Sequence, residues 1–408
     1  MDKLFVGIDV SKNDNAVYLM KPDGEKHSSF EVPNSPSGTR TLSQRTVAAL
    51  NELNLTSVKI GMEATSVYGD NMVYQLREDG ELGRYDRSVY VLNPRQVKAQ
   101  KDTFNDLPKN DPVDAFVVSE VLRIGRVGRP DNSDDRIDSL QLLTRGRYHA
   151  VQALTAEKLR FTNYLFLKFS GISQNPPFSD TFGAASLAFI EGFESIDAVV
   201  NTSLEDLAKF LVEKSKNHFD DPDEVAKAVQ KAVHNSYRLP STVANSVNQL
   251  LAISVSTIRA LEKSIKAFDV EIARIIDVIP NTLSSVPGIG KVFTAGLIAE
   301  IGNVSQFNSQ ASLAKYAGLV WKQHQSGSFE AENTPRIKSG NRYLRYYLCE
   351  AANSLRNYDQ DYRDFYWQKY REVNKHQHKR ALVLTARKFV RLVYKLLKDQ
   401  CLYNPPGR

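Results

Sequence analysis

Hydrophobic and polar positions in the first 125 residues alternate in a way that predicts strands and helices in turn. Residues 4–8 (Leu, Phe, Val, Gly, Ile) have no polar face and read as a buried strand, followed by Asp9, Val10, Ser11 and Lys12. Residues 15–20 and 28–32, with a turn at Pro22-Asp23-Gly24, complete three antiparallel strands joined by hairpins. A helix is predicted over 37–53, with Leu42, Val47 and Leu50 on its apolar side, and then a strand over 58–62 that ends at Glu63. A helix over 68–78, a strand over 88–92, a polar loop and a helix over 112–124 complete the region.

Strand, strand, strand, helix, strand, helix, strand, helix is the order of a ribonuclease H-like (RuvC-like) fold, a five-stranded mixed sheet with helices on both sides. We assign it to residues 1–130. The pattern then changes. Over 133–170, Leu140, Leu143, Val151, Leu154, Phe161 and Leu165 predict a long amphipathic helix. Ile258, Leu261, Ile265, Phe268, Ile272, Ile275 and Ile279 recur at alternating steps of three and four, a coiled-coil seam. The two helices are expected to pair as an antiparallel stalk within the chain or to associate between chains, over a helical region 131–280. Residues 171–240, with an Asn175-Pro176-Pro177 break and short helices over 204–214 and 223–234, read as an insertion at its far end. A mostly helical domain over 281–408 opens with a helix at 283–286, a Pro287-Gly288-Ile289-Gly290 turn and a helix over 292–301. This is a helix-hairpin-helix-like element in which Gly288, Gly290 and Lys291 would meet phosphate, or else a plain bundle turn.

Charge adds a partner. From residue 283 onward the chain carries 20 Lys and Arg against 9 Asp and Glu, while the preceding part is net acidic. Tyr343, Tyr346, Tyr347, Tyr358, Tyr362, Tyr366, Trp367 and Tyr370 interleave with these cations, a mixture suited to nucleic acid or to ordinary packing. Cys349 and Cys401 match neither a zinc spacing nor a disulfide framework, and the expected location is a reducing cytoplasm. No apolar stretch approaches the roughly 18 residues of a membrane span. His376 and His378 lie in a basic run and read as solvated.

Asp9 at the end of an apolar strand is costly unless it is capped locally or held for a cation. In the predicted topology Glu63 ends the neighbouring strand, while Asp111 and Asp114 share one face at the start of a helix with Pro112 in its first turn. Four carboxylates in one place repel and call for divalent, oxygen-seeking metal, Mg²⁺ or Mn²⁺.

Gly7-Ile8-Asp9-Val10-Ser11-Lys12, Gly61-Met62-Glu63-Ala64-Thr65 and Lys109-Asn110-Asp111-Pro112-Val113-Asp114-Ala115 resemble the motifs of the DEDD transposases of bacterial insertion sequences. That family includes the pilin-gene invertase and the bridge-RNA-guided recombinases. The resemblance resumes at Ser285-Val286-Pro287-Gly288-Ile289-Gly290, Tyr316-Ala317-Gly318-Leu319, Gln325-Ser326-Gly327 and Lys338-Ser339-Gly340-Asn341-Arg342-Tyr343-Leu344-Arg345. It implies that Asp9, Glu63, Asp111 and Asp114 hold the metal, with Asp102 and Asp106 as further acids in the preceding loop, and that Ser326 is the nucleophile, with Ser328 close by. It also implies cutting and rejoining of donor and target double-stranded DNA, a structured non-coding guide RNA, and a homo-oligomer, dimer or tetramer, in which one chain's carboxylates work beside another's serine. In a bacterial cell such a protein would join the nucleoid while active. Lys12, Arg336, Lys338, Arg342 and Arg345 are the expected backbone contacts. Two other functions fit the same residues: a junction-type nuclease using metal-activated water, and a non-catalytic nucleic-acid scaffold.

Overall fold

The computed structural model describes residues 3–64, 67–104, 110–125, 127, 130, 134–215, 219–321, 325–326, 329–330 and 339–405, with 325–326 and 329–330 described as backbone. The chain divides into two compact units, Met1–Asp134 and Asp135–Arg408.

The first unit contains β1 (Lys3–Val10), β2 (Asp14–Met20), β3 (Lys26–Pro33), α1 (Pro36–Glu52), β4 (Ser57–Glu63), α2 (Asp70–Glu78), β5 (Asp86–Leu92), α3 (Pro94–Lys101) and α4 (Asp111–Ile124). The sheet order is β3-β2-β1-β4-β5, with β1 antiparallel to β2, β2 antiparallel to β3, and β1, β4 and β5 parallel. This is the mixed sheet that the sequence predicts. Alternation along each strand divides the core between the two faces. Leu4, Val6, Ile8, Val58 and Ile60 pack with Leu42 and Leu50 of α1 and Leu76 of α2. On the other face Phe5, Tyr90 and Leu92 pack with Val97 of α3 and Val117, Val121 and Leu122 of α4. Helix α3 lies in the stretch expected to be a polar loop. Asn93 caps it, its side chain accepting from Arg95 N at 2.9 Å, and Pro94 opens it.

In the second unit α5 (Asp135–Lys168) is followed by α6 (Ser170–Gln174), α7 (Ala184–Gly192), α8 (Ile196–Val200), α9 (Leu204–Ser215), α10 (Pro222–His234) and the long α11 (Ser241–Ile276). Helices α5 and α11 run antiparallel: Lys158 pairs with Glu262 at 3.0 Å, Arg147 with Asp269 at 2.5 Å, and Ser254 donates to Glu157 at 2.5 Å. Residues 171–240 build a core of their own at one end of this pair, where Phe189, Val199, Leu211 and Val229 meet Phe161 and Val255. At the other end Leu140 and Ile272 join the core of the C-terminal helices. Of the expected seam, Ile258 and Ile272 are buried, while Leu261, Ile265 and Phe268 are half-buried.

The remaining elements are α12 (Lys291–Ile301), α13 (Gln310–Tyr316), the short strands β6 (Gln325–Ser326) and β7 (Phe329–Glu330), α14 (Arg342–Tyr358), α15 (Gln360–Arg371) and α16 (Gln377–Asp399). The expected helix at 283–286 is a single 3-10 turn, Leu283–Ser285, so only the second helix of the anticipated hairpin is formed. The tail aromatics divide. Tyr347, Tyr362 and Tyr366 are buried in packing, whereas Tyr358 and Trp367 are exposed. His378 shares a 2.7 Å hydrogen bond with the Tyr366 hydroxyl.

Candidate active site

Two glycines set the geometry of the carboxylate edge. Gly7 precedes Asp9 by two residues and Gly61 precedes Glu63 by two, so on a strand each glycine shares a sheet face with its carboxylate. The two glycines are also paired across the parallel β1–β4 register. Helix α4 lies directly on that face. A Cβ on Gly7 would overlap the Ala115 carbonyl oxygen and stand 2.5 Å from Ser119 N, and one on Gly61 would stand 2.9 Å from Leu122 Cδ1. A side chain at Gly7 would meet helix backbone and hold the helix away from the sheet, whereas one at Gly61 would press on the Leu122 side chain. The contact places the first turn of α4, with Asp111 and Asp114, over the strand ends that carry Asp9 and Glu63.

Asn110 fixes where that helix begins, its side chain accepting from Val113 N at 3.0 Å.

The carboxylates feel one another. Burial raises the proton affinity of Asp9 above that of an ordinary aspartate, and the charges of Asp114 and Asp111 raise it further. Burial likewise raises Glu63, reinforced by Asp9 and Asp114. The lysine Lys101 opposes both shifts. It stands at the C-terminal end of α3 and donates to Asp114 Oδ1. Among the described residues no group of three or more His, Cys, Asp or Glu side chains forms a ready-made metal cage. The donors gathered here are all carboxylate oxygens and the local need is for positive charge, a combination that suits a hard divalent cation. Asp102 ends α3, and Asp106 lies outside the described residues.

Ser326 sits on β6, paired in register with Phe329 of β7, while Ser328 lies outside the described residues. The flanking glycine motifs meet. Gly318 has φ +69° and Gly340 has φ +108°, and a Cβ on Gly340 would stand 2.5 Å from Gly318 N. Asn341 N donates to Tyr316 O at 2.7 Å. The Asn341 side chain caps α14 by accepting from Tyr343 N and Leu344 N, and its amide donates to Glu300 Oε2 at 2.7 Å. Glu300, whose side chain is fully buried, is held in turn by a two-pronged contact from Arg145 at 2.7 and 2.9 Å. Sequence reasoning missed Lys101, Glu300 and Arg145, none of which lies in a motif that carries the resemblance.

The expected phosphate contacts fare differently. Arg342 is exposed and reaches the Tyr343 hydroxyl at 2.8 Å, whereas Arg345 is half-buried and donates to Ala317 O at 3.1 Å. Lys12 is exposed in the turn after β1, and Arg336 and Lys338 lie outside the described residues. Lys291 pairs with Asp277 at 2.6 Å. Gly288, at φ +79°, is required by packing, since a Cβ there would meet Tyr358 at 2.5 Å. Gly290 precedes α12 as its N-cap, and a Cβ there would stand in open space.

Comparison with known proteins supplies the lineage. A transposase family model matches residues 6–169, and the model of the IS116/IS110/IS902 transposase family matches residues 281–367. Over 99% of this chain and 97% of its own length, an uncharacterized 44.8 kDa protein of insertion element IS116 from Streptomyces clavuligerus is 26% identical. The pilin gene-inverting protein of Moraxella bovis is 36% identical over 22% of this chain and 29% of its own. The transposase for insertion sequence element IS1111A of Coxiella burnetii is 30% identical over 30% of this chain and 34% of its own. Among solved structures, Thermus thermophilus RuvC aligns over 32% of this chain and 99% of its own, at 16% identity and a TM-score of 0.23. The two transposase models together span more than half of the chain, which is therefore an enzyme of the IS110/IS116 family of insertion-sequence transposases.

Proposed function

We propose that this transposase cuts and rejoins DNA strands with the Ser326 hydroxyl as nucleophile, assisted by Mg²⁺ or Mn²⁺ held by Asp9, Glu63, Asp111 and Asp114. The observation that carries the reading is the approach of these carboxylates, from two strands and one helix, at one sheet edge, where burial first and the neighbouring acids second raise the proton affinity of Asp9 and Glu63. Divalent metal bound there would polarise the scissile phosphate. The chain's own contribution is positional: the glycine-seated helix holds two carboxylates over two others, and the clamped segment carries the serine. Attack by Ser326 Oγ forms a serine–phosphorus ester as the bond to the departing strand's oxygen breaks, and the Oγ proton is released. The ester retains the phosphodiester's energy, so rejoining needs no nucleotide cofactor.

Donor and target double-stranded DNA are the proposed substrates, and the cations of the C-terminal region, Arg342 among them, are the proposed backbone contacts. A structured non-coding RNA is the proposed guide, with work in the cytoplasm, at the nucleoid. A homo-oligomer in which one copy's carboxylates act beside another's serine is proposed as well. The half-buried Leu261, Ile265 and Phe268, and the exposed Leu142, Leu159 and Val270 on α5 and α11, support association along these helices.

A suicide substrate nicked beside the cleavage point tests the nucleophile. The short downstream piece should diffuse away and leave protein attached to DNA, with the adduct mapping to the peptide that contains Ser326. Ser326→Ala should yield no adduct yet still bind DNA and copurifying RNA. Adduct on Ser328 would move the role by two residues. Cleavage with no adduct, unaffected by Ser326→Ala, would replace this reading with hydrolysis by metal-activated water.

A further inference from the structure

The ammonium of Lys101 donates to Asp114 Oδ1, one of the four acids proposed above to hold metal. It reaches that position from α3, a helix whose only buried residue is Val97. Lys101 and Asp114 are both partly exposed, at 27% and 31% of their side chains, so the ammonium can leave for water without breaking into the core.

We propose that Lys101 is a tethered counter-ion that occupies the carboxylate edge in the metal-free protein and is displaced from Asp114 when divalent metal loads. The inference rests on the metal-binding reading above. The tether serves two ends. It relieves repulsion within the cluster while the edge is without metal, and it sets the metal concentration needed for loading, because the cation must compete with an ammonium that is always present.

Removing the competitor should therefore tighten metal binding, whereas removing a residue that merely orients Asp114 should weaken it. The test is Mn²⁺ uptake by the full chain, read as loss of the free-ion electron paramagnetic resonance signal, alongside melting temperature against Mg²⁺ concentration. Lys101→Met should lower the midpoint for either ion about three- to fivefold, the scale expected for releasing one partly exposed ion pair. Its metal-free form should melt below wild type and gain more on adding Mg²⁺. Lys101→Arg, which retains the charge, should keep the wild-type midpoint. An unchanged or weaker midpoint in Lys101→Met, with normal uptake by wild type, overturns the counter-ion role and leaves the metal site standing. No saturable uptake by wild type overturns both.

Discussion

Gly7→Ala should dislodge the carboxylate edge without touching a carboxylate. The added methyl overlaps the Ala115 carbonyl oxygen and stands 2.5 Å from Ser119 N, and both are backbone atoms of α4 that no rotamer change can move. The helix must lift or slide, and its buried Val117, Val118, Val121 and Leu122 shift with it. Overpacking of this kind costs about 3 kcal/mol, the upper end for an inserted methylene, because backbone rather than side chain must yield. Gly61→Ala meets the Leu122 side chain at 2.9 Å, which can rotate, so a cost of about 1 kcal/mol is expected. Gly80→Ala has no heavy atom within 4 Å and serves as the neutral control. Hydrogen exchange of peptides from β1 and α4 in the full chain isolates this unit from the rest, which a single melting curve does not. Protection should fall in the order Gly80→Ala, Gly61→Ala, Gly7→Ala, and strand exchange should disappear in the last. Wild-type protection of α4 in Gly7→Ala would refute the argument that the glycine exists to seat the helix.

Asp9→Asn should raise the metal-free melting temperature at pH 7.5 by about 3 °C while abolishing strand exchange, because the native state holds this carboxylate's proton more tightly than the unfolded chain does. For an acid raised in the folded state the penalty is fully present above the folded value and fades as pH falls toward the unfolded one, so the gap between variant and wild type should close between neutrality and about pH 4. A pH-independent gap would count against it. Arg342→Ala should flatten the dependence of DNA affinity on salt by about one counter-ion, measured by titration at several salt concentrations. Arg345→Ala should instead cost about 1 kcal/mol of stability through loss of the bond to Ala317 O, seen as a lower melting temperature with little change in salt slope.

What the sequence disclosed followed from how strongly each segment is constrained. Residues 4–8 of β1 and 60–62 of β4 are free of polar side chains up to the acids Asp9 and Glu63, so both the strands and the carboxylates stand out, and hairpin spacing settles the antiparallel half of the sheet. Helix α3 did not stand out because it buries only Val97, which leaves no periodicity to read, although Asn93-Pro94 is a start signal. Lys101 went unseen with it. The tail misled in a different way: its basic and aromatic residues suggested a nucleic-acid surface throughout. Tyr347, however, shares the three-four spacing of Leu344, Leu348, Ala351 and Leu355, and it is a core residue whose hydroxyl donates to Thr144 O at 2.7 Å. Spacing along α14, rather than composition, was the informative signal there.

The glycine motifs around Ser326 show why the C-terminal resemblance is spread over separate short segments. Gly318 and Gly340 are 22 residues apart in sequence, yet a Cβ on Gly340 would meet Gly318 N and Cα, and one on Gly318 would meet the Ser339 carbonyl oxygen, so neither tolerates a Cβ. The segment carrying the serine therefore leaves and returns at a single point, closed by Asn341 N on Tyr316 O and braced by Arg345 on Ala317 O. Beneath that point lies Glu300, a buried carboxylate satisfied by Arg145 and Asn341. Removing Arg145 would leave the Glu300 charge buried and unpaired, a loss of about 3 kcal/mol or more. Such a base restricts where the segment can start without contacting the serine itself. The same logic governs the carboxylate edge, where glycines two residues from Asp9 and Glu63 seat the helix that brings the other two acids. At Gly7, Gly318 and Gly340 a close backbone approach leaves no room for a Cβ, and for that reason glycine recurs beside Asp9 and on both sides of the segment that carries Ser326.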